Sequence, residues 1–423
     1  MKNSYDVVII GGGPAGIAAA VSCENKGLNV LIVEREENLG GILKQCIHDG
    51  FGLVTFNERL SGPEYAQRFI DKIDNEKIDI LNKTFVIDVQ RENNEFRIYL
   101  TNSTEGIVNV ESKAIVLATG CRERTARQVF IGGTRPAGIY SAGTAQHLTN
   151  IEGYLPCKKC VILGSGDIGL IMARRLTLEG AEVLGVYEIK DTPSGLRRNI
   201  SQCLDDFSIP LHLSYTVKRV LGEYRVEGVE VCKVDKNMNP IVGTEEIIPC
   251  DGLILSVGLI PENEVGESLS VSMDNRTKGP IVNQDFMTSV KGVFSCGNAL
   301  HVNDLVDYVS ESGQLTGDGV KGYLENNKNI SREVPINYSN EKIAYVVPQK
   351  INLLSQTKKF PIYFRSKDVI QDVFLNLKIN GQVVIKKKYR TIRPPEMERI
   401  ELDISKYNLD KDCEIELILN KEY

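Results

Sequence analysis

Three glycines near the start of the chain have a spacing that can hold a phosphate group. Gly11, Gly13 and Gly16 follow a short apolar run and precede a segment of helical composition. In the pattern G-x-G-x-x-G, the first glycine makes a tight turn, the second lets the backbone approach a pyrophosphate, and the third lets helix and strand pack closely. The unpaired N–H groups of the helix start bind the anion. The pattern predicts a strand, a turn and a helix around a dinucleotide, with Pro14 and Ala15 in the same turn.

An acidic residue stands where the ribose of such a nucleotide is expected. A second apolar run, Val30–Val33, is followed directly by Glu34 and Arg35. A carboxylate about 20 positions after the first glycine accepts hydrogen bonds from the ribose hydroxyls. Because strand, turn, helix and acid occur in order, we interpret residues 7–35 as a dinucleotide site rather than an ordinary glycine-rich turn, and we include Arg35 in it.

The same pattern occurs a second time in the middle of the chain. An apolar run, Val161–Leu163, leads into a second glycine motif, and the next predicted strand ends at Glu188. The motif residues are Gly164, Gly166, Asp167, Ile168 and Gly169. An internal repeat of this kind predicts two dinucleotide sites in one chain. Glu188 favours NAD(H) over NADP(H), because a carboxylate repels a 2′-phosphate; Arg197 and Arg198 leave that choice open.

Composition limits the class of protein. The chain has 423 residues, 42% of them hydrophobic and 25% charged, and a net charge of −6. The length suggests two or three domains, and the acidic balance argues against a nucleic-acid or anionic-membrane surface along the whole chain. We expect no membrane span and no secretion signal, and therefore a cytoplasmic protein with reduced cysteines. The four histidines are too dispersed to predict a metal site.

Further motifs resemble one known superfamily. Ala118, Thr119 and Gly120, then residues 255–263 with Gly258, and residues 292–298 ending in Gly297 and Asn298 are similar to signatures of the pyridine nucleotide–disulfide oxidoreductases. This resemblance implies FAD in the first site and NAD(P)H in the second. Gly41 and Ile42 belong to the implied FAD site. The last motif usually ends in Gly-Asp; Asn298 can still accept a hydrogen bond from a ribityl hydroxyl.

The resemblance also implies the architecture. We expect an α/β fold with two Rossmann-like dinucleotide-binding domains, in which the NAD domain is inserted into the FAD domain. The expected boundaries are residues 1–150 and 263–330 for the FAD-binding domain and 151–262 for the NAD(P)-binding domain. In the family, a helix starting near Asp304 points its N-terminus at the flavin pyrimidine carbonyl.

The last ninety or so residues have a different pattern. Residues 335–423 are predicted to form a small all-β sandwich-like domain. Asn380-Gly381 between two strand-like runs is a strong hairpin signal. We expect strands over residues 343–347, 360–364, 369–379, 383–388, 398–404 and 413–419. A docking or dimerisation module and a passive stabilising appendage are both open interpretations.

Thiol chemistry is the main alternative to simple hydride transfer. The thiol-dependent members of the superfamily carry two cysteines five positions apart, and the corresponding positions here hold Leu43 and His48. Cys46 lies between them. Cys46 and His48 are candidate catalytic residues, as a redox thiol and a titratable neighbour, although a structural role for each is the simpler interpretation. Cys157 and Cys160 have C-x-x-C spacing but directly precede a strand, which places them away from a flavin.

Longer stretches resemble one branch of the superfamily. Residues 41–52, 120–125, 133–146 and 301–308 are similar to alpha subunits of dye-linked proline dehydrogenases and hydrogen cyanide synthase, and to flavoproteins that accompany anaerobic glycerol-3-phosphate dehydrogenase. The resemblance implies an electron-transfer subunit in a homo- or hetero-oligomer. Through the same resemblance, a second flavoprotein dehydrogenase is implied as a partner subunit, and a small-molecule redox substrate is expected.

A basic stretch follows the first crossover motif. Arg122, Arg124, Arg127 and Arg135 could receive nucleotide phosphates or an acidic partner, or form an ordinary solvated loop. Three hypotheses for the whole chain remain. They are an FAD-dependent NAD(P)H oxidoreductase or electron-transfer flavoprotein, a stand-alone thiol or peroxide reductase using Cys46, and a nucleotide-binding scaffold whose flavin is not turned over.

Overall fold

The computed structural model describes residues 2–74, 76–92, 94–325 and 332–421. The chain separates into two compact units, Met1–Cys121 with Pro261–Tyr423, and Arg122–Ile260. These divisions lie at 121/122 and 260/261, whereas the sequence analysis sets them at 150/151 and 262/263. The first division differs because residues 139–150 join the sheet of the second unit, as described below. The division into an FAD-binding and an NAD(P)-binding domain stays a prediction.

The secondary structure alternates strands and helices through both nucleotide motifs. Up to the first crossing between units, the elements are β1 (Ser4–Ile10), α1 (Pro14–Glu24), β2 (Val30–Val33), β3 (Asp49–Phe51), β4 (Leu60–Ser61), α2 (Gly62–Ile70), β5 (Ile78–Leu81), β6 (Phe85–Glu92), β7 (Glu95–Asn102), β8 (Gly106–Leu117) and β9 (Cys121–Glu123). The second unit continues with β10 (Gly132–Gly133), β11 (Ile139–Ser141), α3 (Ala142–Asn150), β12 (Lys159–Leu163), α4 (Asp167–Leu178), β13 (Glu182–Glu188), α5 (Arg197–Cys203), β14 (Leu211–Leu213), β15 (Tyr215–Leu221), β16 (Gly228–Lys233), β17 (Glu246–Pro249) and β18 (Gly252–Leu255).

The remaining elements begin at the second crossing. They are β19 (Leu259–Pro261), α6 (Glu264–Ser268), β20 (Val293–Ser295), α7 (Val306–Glu325), β21 (Glu333–Tyr338), β22 (Ile343–Val347), β23 (Lys350–Asn352), β24 (Lys359–Ser366), β25 (Ile370–Ile379), β26 (Gln382–Ile392), β27 (Glu398–Asp403) and β28 (Ile415–Asn420). Short 3-10 helices span Gly41–Gln45, Ala126–Val129, Asp205–Phe207, Gly297–Ala299 and Ile404–Lys406.

The first unit is built on a sheet with a parallel core. Its strand order is β5-β2-β1-β8-β7-β6, and β20 pairs with the last residues of β8. Strands β5, β2, β1, β8 and β20 run parallel, whereas β6 and β7 form an antiparallel hairpin on the first half of β8. Val7, Val8 and Ile9 of β1 are fully buried, as expected for a strand covered on both faces. The glycine turn therefore follows the central strand at the carboxyl edge of the sheet.

Helices α1 and α7 pack closely because small residues face each other. Ala15, Ala18 and Ala19 of α1 are buried. A Cβ at Gly313 of α7 would collide with the Ala15 carbonyl, and one at Gly317 would collide with the Ser22 side chain. The two helix backbones thus approach within a distance that only glycine permits.

The second unit repeats the parallel arrangement. Its main sheet has the order β11-β18-β12-β13-β14, with every pair parallel. A second sheet in this unit has the order β10-β15-β16-β17, in which β15, β16 and β17 form an antiparallel meander. Strand β11 and helix α3 belong to the main sheet and its covering layer, which accounts for the shifted first boundary.

The C-terminal residues form the predicted β-sandwich. Five strands in the order β23-β21-β28-β25-β26 face three in the order β22-β24-β27. Their apolar side chains, including Phe360, Phe364 and Leu375, form one buried cluster. The predicted hairpin is confirmed: Ile379 pairs with Gln382, and Asn380 and Gly381 both have positive φ, as a type I′ turn requires.

The sandwich shares an apolar cluster with the rest of the first unit. Val282, Phe286 and Leu300 from the residues before α7 contact Tyr345, Val347, Tyr363 and Met397 from the sandwich. A backbone hydrogen bond joins the same two parts of the unit, since the Gln349 amide donates to the Val282 carbonyl at 3.1 Å. The sandwich is therefore packed into the first unit.

None of the helices in the described ranges has the length and apolarity that a bilayer crossing requires.

The contact between α1 and α7 gives the first testable prediction. Gly313→Ala should lower the free energy of unfolding by about 1–3 kcal/mol, because its Cβ meets the Ala15 backbone. Gly322→Ala, in the same helix with no atom within 4 Å of its Cβ, should instead stabilise by about 0.5–1 kcal/mol. Urea unfolding of both variants measures the difference. Equal unfolding midpoints for both variants would contradict the proposed close approach.

Candidate functional site

The first glycine turn has the shape that a pyrophosphate requires. Gly11 has a φ of 109°, and a Cβ there would collide with the Ala118 carbonyl. A Cβ on Gly16 would collide with the Gly11 carbonyl. Gly13 is different, because no atom lies within 4 Å of the position of its Cβ. Strand, turn and helix are therefore packed tightly at the first and third glycines, and open space adjoins the second, at the N-cap of α1.

The Glu34 carboxylate is bound to the same turn. Its Oε2 accepts the amide hydrogen of Gly12 at 2.7 Å, and its Oε1 accepts that of Glu36 at 2.7 Å. Glu34 is only 6% exposed, so these two donors offset the loss of water around its charge. A carboxylate has about four acceptor sites, which leaves capacity for ribose hydroxyls beside the glycine turn.

Several other predicted residues lie around this turn. The Gly40 amide donates to the Gly12 carbonyl at 2.8 Å, and a Cβ on Gly41 would lie 3.1 Å from the Cα of Gly13. Ile42, next to it, is 59% exposed. The structure thus brings Gly41 and the glycine turn together.

Residue Glu262 connects two further predicted positions. It forms a 3.0 Å ion pair with Arg35, its amide donates to the Gly120 carbonyl at 3.0 Å, and its carbonyl accepts the Thr119 hydroxyl at 2.5 Å. Arg35 and the Ala118–Gly120 motif are therefore held at the same edge through Glu262.

The segment after β20 reaches the same edge of the sheet. A Cβ on Gly297 would lie 2.7 Å from the Ala15 Cβ and 3.3 Å from Val309 in the first turn of α7. The Asn298 carboxamide accepts the Asn303 amide at 3.0 Å, and its Nδ2 lies 3.7 Å from the Cys121 sulfur as a donor. A carboxylate could not donate that second bond, which gives a physical reason for asparagine at this position.

The start of α7 carries two acceptors that fit a ligand. Asp307 is 3% exposed, and its Oδ1 accepts the Thr55 amide at 2.7 Å. Within the described residues, Asp307 Oδ2 and Asn303 Oδ1 are buried without a hydrogen-bond partner. An unpaired buried acceptor costs about 1–3 kcal/mol. The isoalloxazine ring of FAD presents an N–H donor, so these two acceptors and the open space at Gly13 both fit this cofactor.

The second glycine turn repeats the first. Gly164 has a φ of 97°, and its Cβ would collide with the Ser256 carbonyl. A Cβ on Gly169 would lie 2.8 Å from the Gly164 carbonyl oxygen. A Cβ on Gly166 would meet only Ser256, with its hydroxyl at 3.4 Å as the nearest atom. Space again adjoins the second glycine, as a dinucleotide requires.

Glu188 occupies the position of Glu34 in this second turn. It is 4% exposed and accepts the Ser165 amide at 3.0 Å, the Ser165 hydroxyl at 2.5 Å and the Lys190 amide at 3.1 Å. The two turns thus share one hydrogen-bond pattern, from the residue between the first two glycines to a buried glutamate.

The other predicted residues of the second turn have structural partners. Asp167, the first residue of α4, accepts the Leu196 amide at 2.8 Å and the Asn199 Nδ2 at 2.6 Å. Ile168 packs against the apolar core of this unit. Gly258 has a φ of 101°, and its carbonyl accepts the Arg124 amide at 3.1 Å.

The candidate catalytic thiol has the properties of a packed residue. Cys46 donates to the Ile42 carbonyl at 3.3 Å, and a Cβ on Gly62 would lie 2.8 Å from the Cys46 Cβ. Burial raises the pKa of the Cys46 thiol to about 12, which disfavours the reactive thiolate at neutral pH. The His48 ring packs against Phe51 at a centroid distance of 4.9 Å, with Nδ1 3.3 Å from the Asp49 carbonyl oxygen. Catalytic roles for Cys46 and His48 stay predictions.

The C-x-x-C pair lies at the opposite edge of its sheet. Cys157 and Cys160 are buried free thiols at the start of β12, whereas the glycine turn follows the end of that strand. The hydrogen bond between them lowers the pKa of Cys157 and raises that of Cys160. This arrangement separates the pair from the second nucleotide turn within its own unit.

The basic stretch is exposed. Arg122, Arg124, Arg127 and Arg135 all lie at the surface of the described chain, so both interpretations of the stretch stay open. The start of α7 was predicted to face the flavin, but the side chains of Asn303 and Asp307 were not predicted as site residues. Asn303 and Asp307 have no distinctive spacing, and their unpaired oxygens become visible only when Thr55 and the glycine turn are brought to the same place.

Comparisons with known proteins agree with this geometry. Residues 5–315 match the family described as "Pyridine nucleotide-disulphide oxidoreductase". An opine oxidase subunit from Agrobacterium tumefaciens is 25% identical over 70% of this chain and 62% of its own length. Ferredoxin–NADP reductase of Streptococcus sanguinis is 25% identical over 73% of this chain and 90% of its own length. Hydrogen cyanide synthase subunit HcnB of Pseudomonas protegens is 25% identical over 63% of this chain and 59% of its own length.

Solved structures show the same fold. Thioredoxin reductase of Lactococcus lactis superposes with a TM-score of 0.63 at 19% identity, covering 76% of this chain and 99% of that one. L-proline dehydrogenase of P. horikoshii gives a TM-score of 0.56 at 21% identity, covering 77% and 55%. The chain spans less than two thirds of HcnB and of the opine oxidase subunit. Since the family match extends over most of its length, the chain belongs to the pyridine nucleotide-disulphide oxidoreductase family, whose members are FAD-dependent pyridine nucleotide oxidoreductases.

Proposed function

We propose that this protein is an FAD-dependent NAD(P)H oxidoreductase that passes electrons from a reduced nicotinamide, through bound flavin, to an acceptor or a partner dehydrogenase. The observation that carries the proposal is a repeated nucleotide cradle, by which we mean a glycine turn with its buried glutamate. The first cradle comprises Gly11–Gly16 with Glu34, and the second comprises Gly164–Gly169 with Glu188. Each glycine turn has open space at its second glycine and a buried glutamate bound to the residue before it. Two such cradles in one chain are suited to one resident and one exchanging dinucleotide.

The proposal assigns FAD to the first cradle. The residues that would hold it are the turn from Gly11 to Gly16, Glu34, Gly41 and Gly297, with Asn303 and Asp307 offering acceptors to the ring. A bound flavin supplies two-electron chemistry, and the chain supplies orientation and polarity. Here the Asp307 carboxylate would be held by the Thr55 amide, and the start of α7 would place positive partial charge beside the ring.

The second cradle is assigned to NAD(P)H, with NADH favoured. Glu188 would present its carboxylate to the ribose, where a 2′-phosphate would meet a like charge. The exposed Arg197 and Arg198 begin α5, ten residues or so beyond it in sequence. Both nicotinamides are therefore tested side by side in the experiment below.

A role as one component of a larger enzyme is the second candidate. Two of the relatives, from opine oxidase and hydrogen cyanide synthase, are named as subunits. In such an assembly the electrons would go to or come from a second flavoprotein that oxidises a small-molecule substrate. A thiol reductase is less well supported, because the only half-buried cysteines of the described chain are Cys46 and Cys121 and the thiol of Cys46 is protonated at neutral pH.

Anaerobic titration of the flavin-loaded protein tests the proposal. Stepwise addition of NADH should bleach the oxidised flavin absorption to completion with about one equivalent, because one hydride carries both electrons. For the same rate of flavin bleaching, NADPH should require a concentration at least about tenfold higher than NADH. This factor corresponds to a difference of about 1.4 kcal/mol in binding free energy. No bleaching with either nucleotide, while dithionite bleaches fully, would favour a scaffold whose flavin is not turned over.

The two cradles can be separated by matched substitutions. Gly13→Val and Gly166→Val each fill the space at the second glycine without a backbone clash, since both residues have negative φ. Gly13→Val should reduce flavin content at least about tenfold, which corresponds to a loss of about 1.4 kcal/mol in the free energy of flavin binding. Gly166→Val should leave flavin content unchanged and weaken nicotinamide binding by a similar factor.

Flavin content is read from the visible spectrum of denatured protein and nicotinamide affinity from the titration above, with thermal unfolding of the apoproteins as the control. If Gly166→Val lost flavin and Gly13→Val retained it, the assignment of the two ligands would have to be reversed.

Removing the Cys46 thiol should leave the reductase intact. Burial raises the pKa of the Cys46 thiol to about 12 and so disfavours the reactive thiolate at neutral pH. Cys46→Ser should therefore keep flavin content and NADH-dependent dye reduction within about twofold. Cys413→Ser in the sandwich serves as the control for general effects of replacing a buried cysteine. Selective loss of turnover in Cys46→Ser would revive the thiol or peroxide reductase hypothesis.

A further inference from the structure

The start of α7 lies beside the first cradle. Strand β20 runs parallel to β8, so it ends at the carboxyl edge of the sheet, where the glycine turn is found. Gly297, two residues beyond β20, lies against Ala15 in the first turn of α1 and Val309 in the first turn of α7. The first turns of α1 and α7 are therefore neighbours at the edge where the dinucleotide is expected to bind.

A charged side chain from the sandwich binds the residues immediately before α7. Arg365 of β24 donates through Nη2 to the Asp304 carboxylate and to the Val302 carbonyl, the latter at 3.2 Å. The second carboxylate oxygen of Asp304 accepts the Met397 amide at 2.5 Å. The side chains of Arg365 and Asp304 are 16% and 21% exposed, so this ion pair is largely shielded from solvent.

The Arg365 side chain is fixed by its other hydrogen bonds. Its Nε donates to the Tyr345 hydroxyl at 2.9 Å, and its Nη1 donates to the carbonyls of Pro394 and Pro395 at 3.2 and 2.5 Å. All five N–H groups of the guanidinium are therefore used. A lysine has three donors without this planar arrangement and could not replace the set.

A second arginine of the sandwich makes a comparable pair farther along the same helix. Arg399 of β27 donates to the Glu311 carboxylate at 2.6 and 3.1 Å, and the Tyr363 hydroxyl donates to the same group at 2.6 Å. Helix α7 begins at Val306, so Glu311 lies about 7.5 Å along the helix axis at a rise of about 1.5 Å per residue. The two pairs therefore differ in position: Asp304 precedes the first turn of α7, and Glu311 lies beyond it.

We propose that Arg365 is a positioning residue for the flavin site, through which the C-terminal β-sandwich cancels the charge of Asp304 and fixes the start of α7. The inference rests on the proposed assignment of FAD to the first cradle. Reduced flavin gains negative charge, which the N-terminus of a helix stabilises and an uncompensated carboxylate opposes. The sandwich thereby raises the reduction potential of the flavin, a role distinct from docking and from passive stabilisation.

Opposite effects of two substitutions test this role. In the flavin-loaded full chain, Arg365→Gln removes one positive charge from beside Asp304. It should lower the ratio of reduced to oxidised flavin at a fixed potential about tenfold, a shift of about 30 mV for a two-electron couple. Asp304→Asn leaves Arg365 in excess and should raise that ratio. A merely structural clamp predicts that both variants change in the same direction, as damage to one contact.

Arg399→Gln is the matched control. It breaks a pair of the same chemistry in the same domain, and it should leave the ratio within about twofold, because Glu311 lies beyond the first turn of α7, to which the positive partial charge of the helix start is confined. Equilibration of wild type and variants with a reference dye measures the potentials, and flavin affinity is measured by titrating the apoproteins. If Arg365→Gln does not fold, Asp304→Asn and the Asp304→Asn/Arg365→Gln double variant still carry the test, because the double variant should return toward the wild-type potential.

Two results would overturn the inference. One is equal shifts in Arg365→Gln and Arg399→Gln, and the other is shifts of the same sign in Arg365→Gln and Asp304→Asn. Failure of the proposed function is distinguishable from these results. If the first cradle does not bind FAD, the wild-type apoprotein takes up no flavin and no potential can be measured for any variant; if the flavin is bound but not turned over, the potentials are still measured with the reference dye and only the NADH titration fails.

Discussion

A buried glutamate that accepts a backbone amide from a glycine turn is the interaction on which both nucleotide cradles depend. Glu34 binds the Gly12 amide and Glu188 binds the Ser165 amide, each within a parallel sheet that leaves little contact with water. A buried carboxylate is costly unless charge-assisted hydrogen bonds surround it. The bond therefore fixes the end of the second strand against the turn after the first strand. Once these two points are fixed, the helix start and the buried glutamate have a defined separation, and the open space beside the second glycine lies between them.

The two cradles differ in what completes them. In the second unit, the loop after β13 closes back on its own turn, as Leu196 donates to Asp167. In the first unit, the surrounding groups come from distant parts of the chain, since Asp307 accepts from Thr55 and Gly297 lies against the first turn of α1. The proposed assignment places the resident cofactor in the first cradle and the exchanging nucleotide in the second.

The features that could be predicted from the sequence are those set by patterns over a short stretch of chain. The glycine spacing, the terminal glutamates and the Asn380-Gly381 turn each act within a few residues of the chain or within one βαβ unit, and their predicted geometry is found. Pairings between distant residues were missed. Strand β11 joins β18 across more than a hundred residues and has no local signal for that partner. Strand β21 contains Pro335, which normally argues against a strand; here that residue lies where the strand leaves β23 and begins to pair with β28.

The same reasoning explains why the sequence left the role of the sandwich open between a docking module and a passive appendage. Its strands carry alternating apolar residues that fill their own core, which is all that periodicity reports. The residues that join it to the first unit are single side chains on those strands, Arg365 and Arg399, and a basic residue on a strand is ordinarily solvated. Their carboxylate partners lie 61 and 88 residues earlier in the chain. The two arginines bind carboxylates in α7 and in the residues just before it, and the first turn of this helix adjoins the cradle. These pairs couple the stability of the sandwich to the electrostatics of the first site. This coupling is a property of the tertiary structure alone.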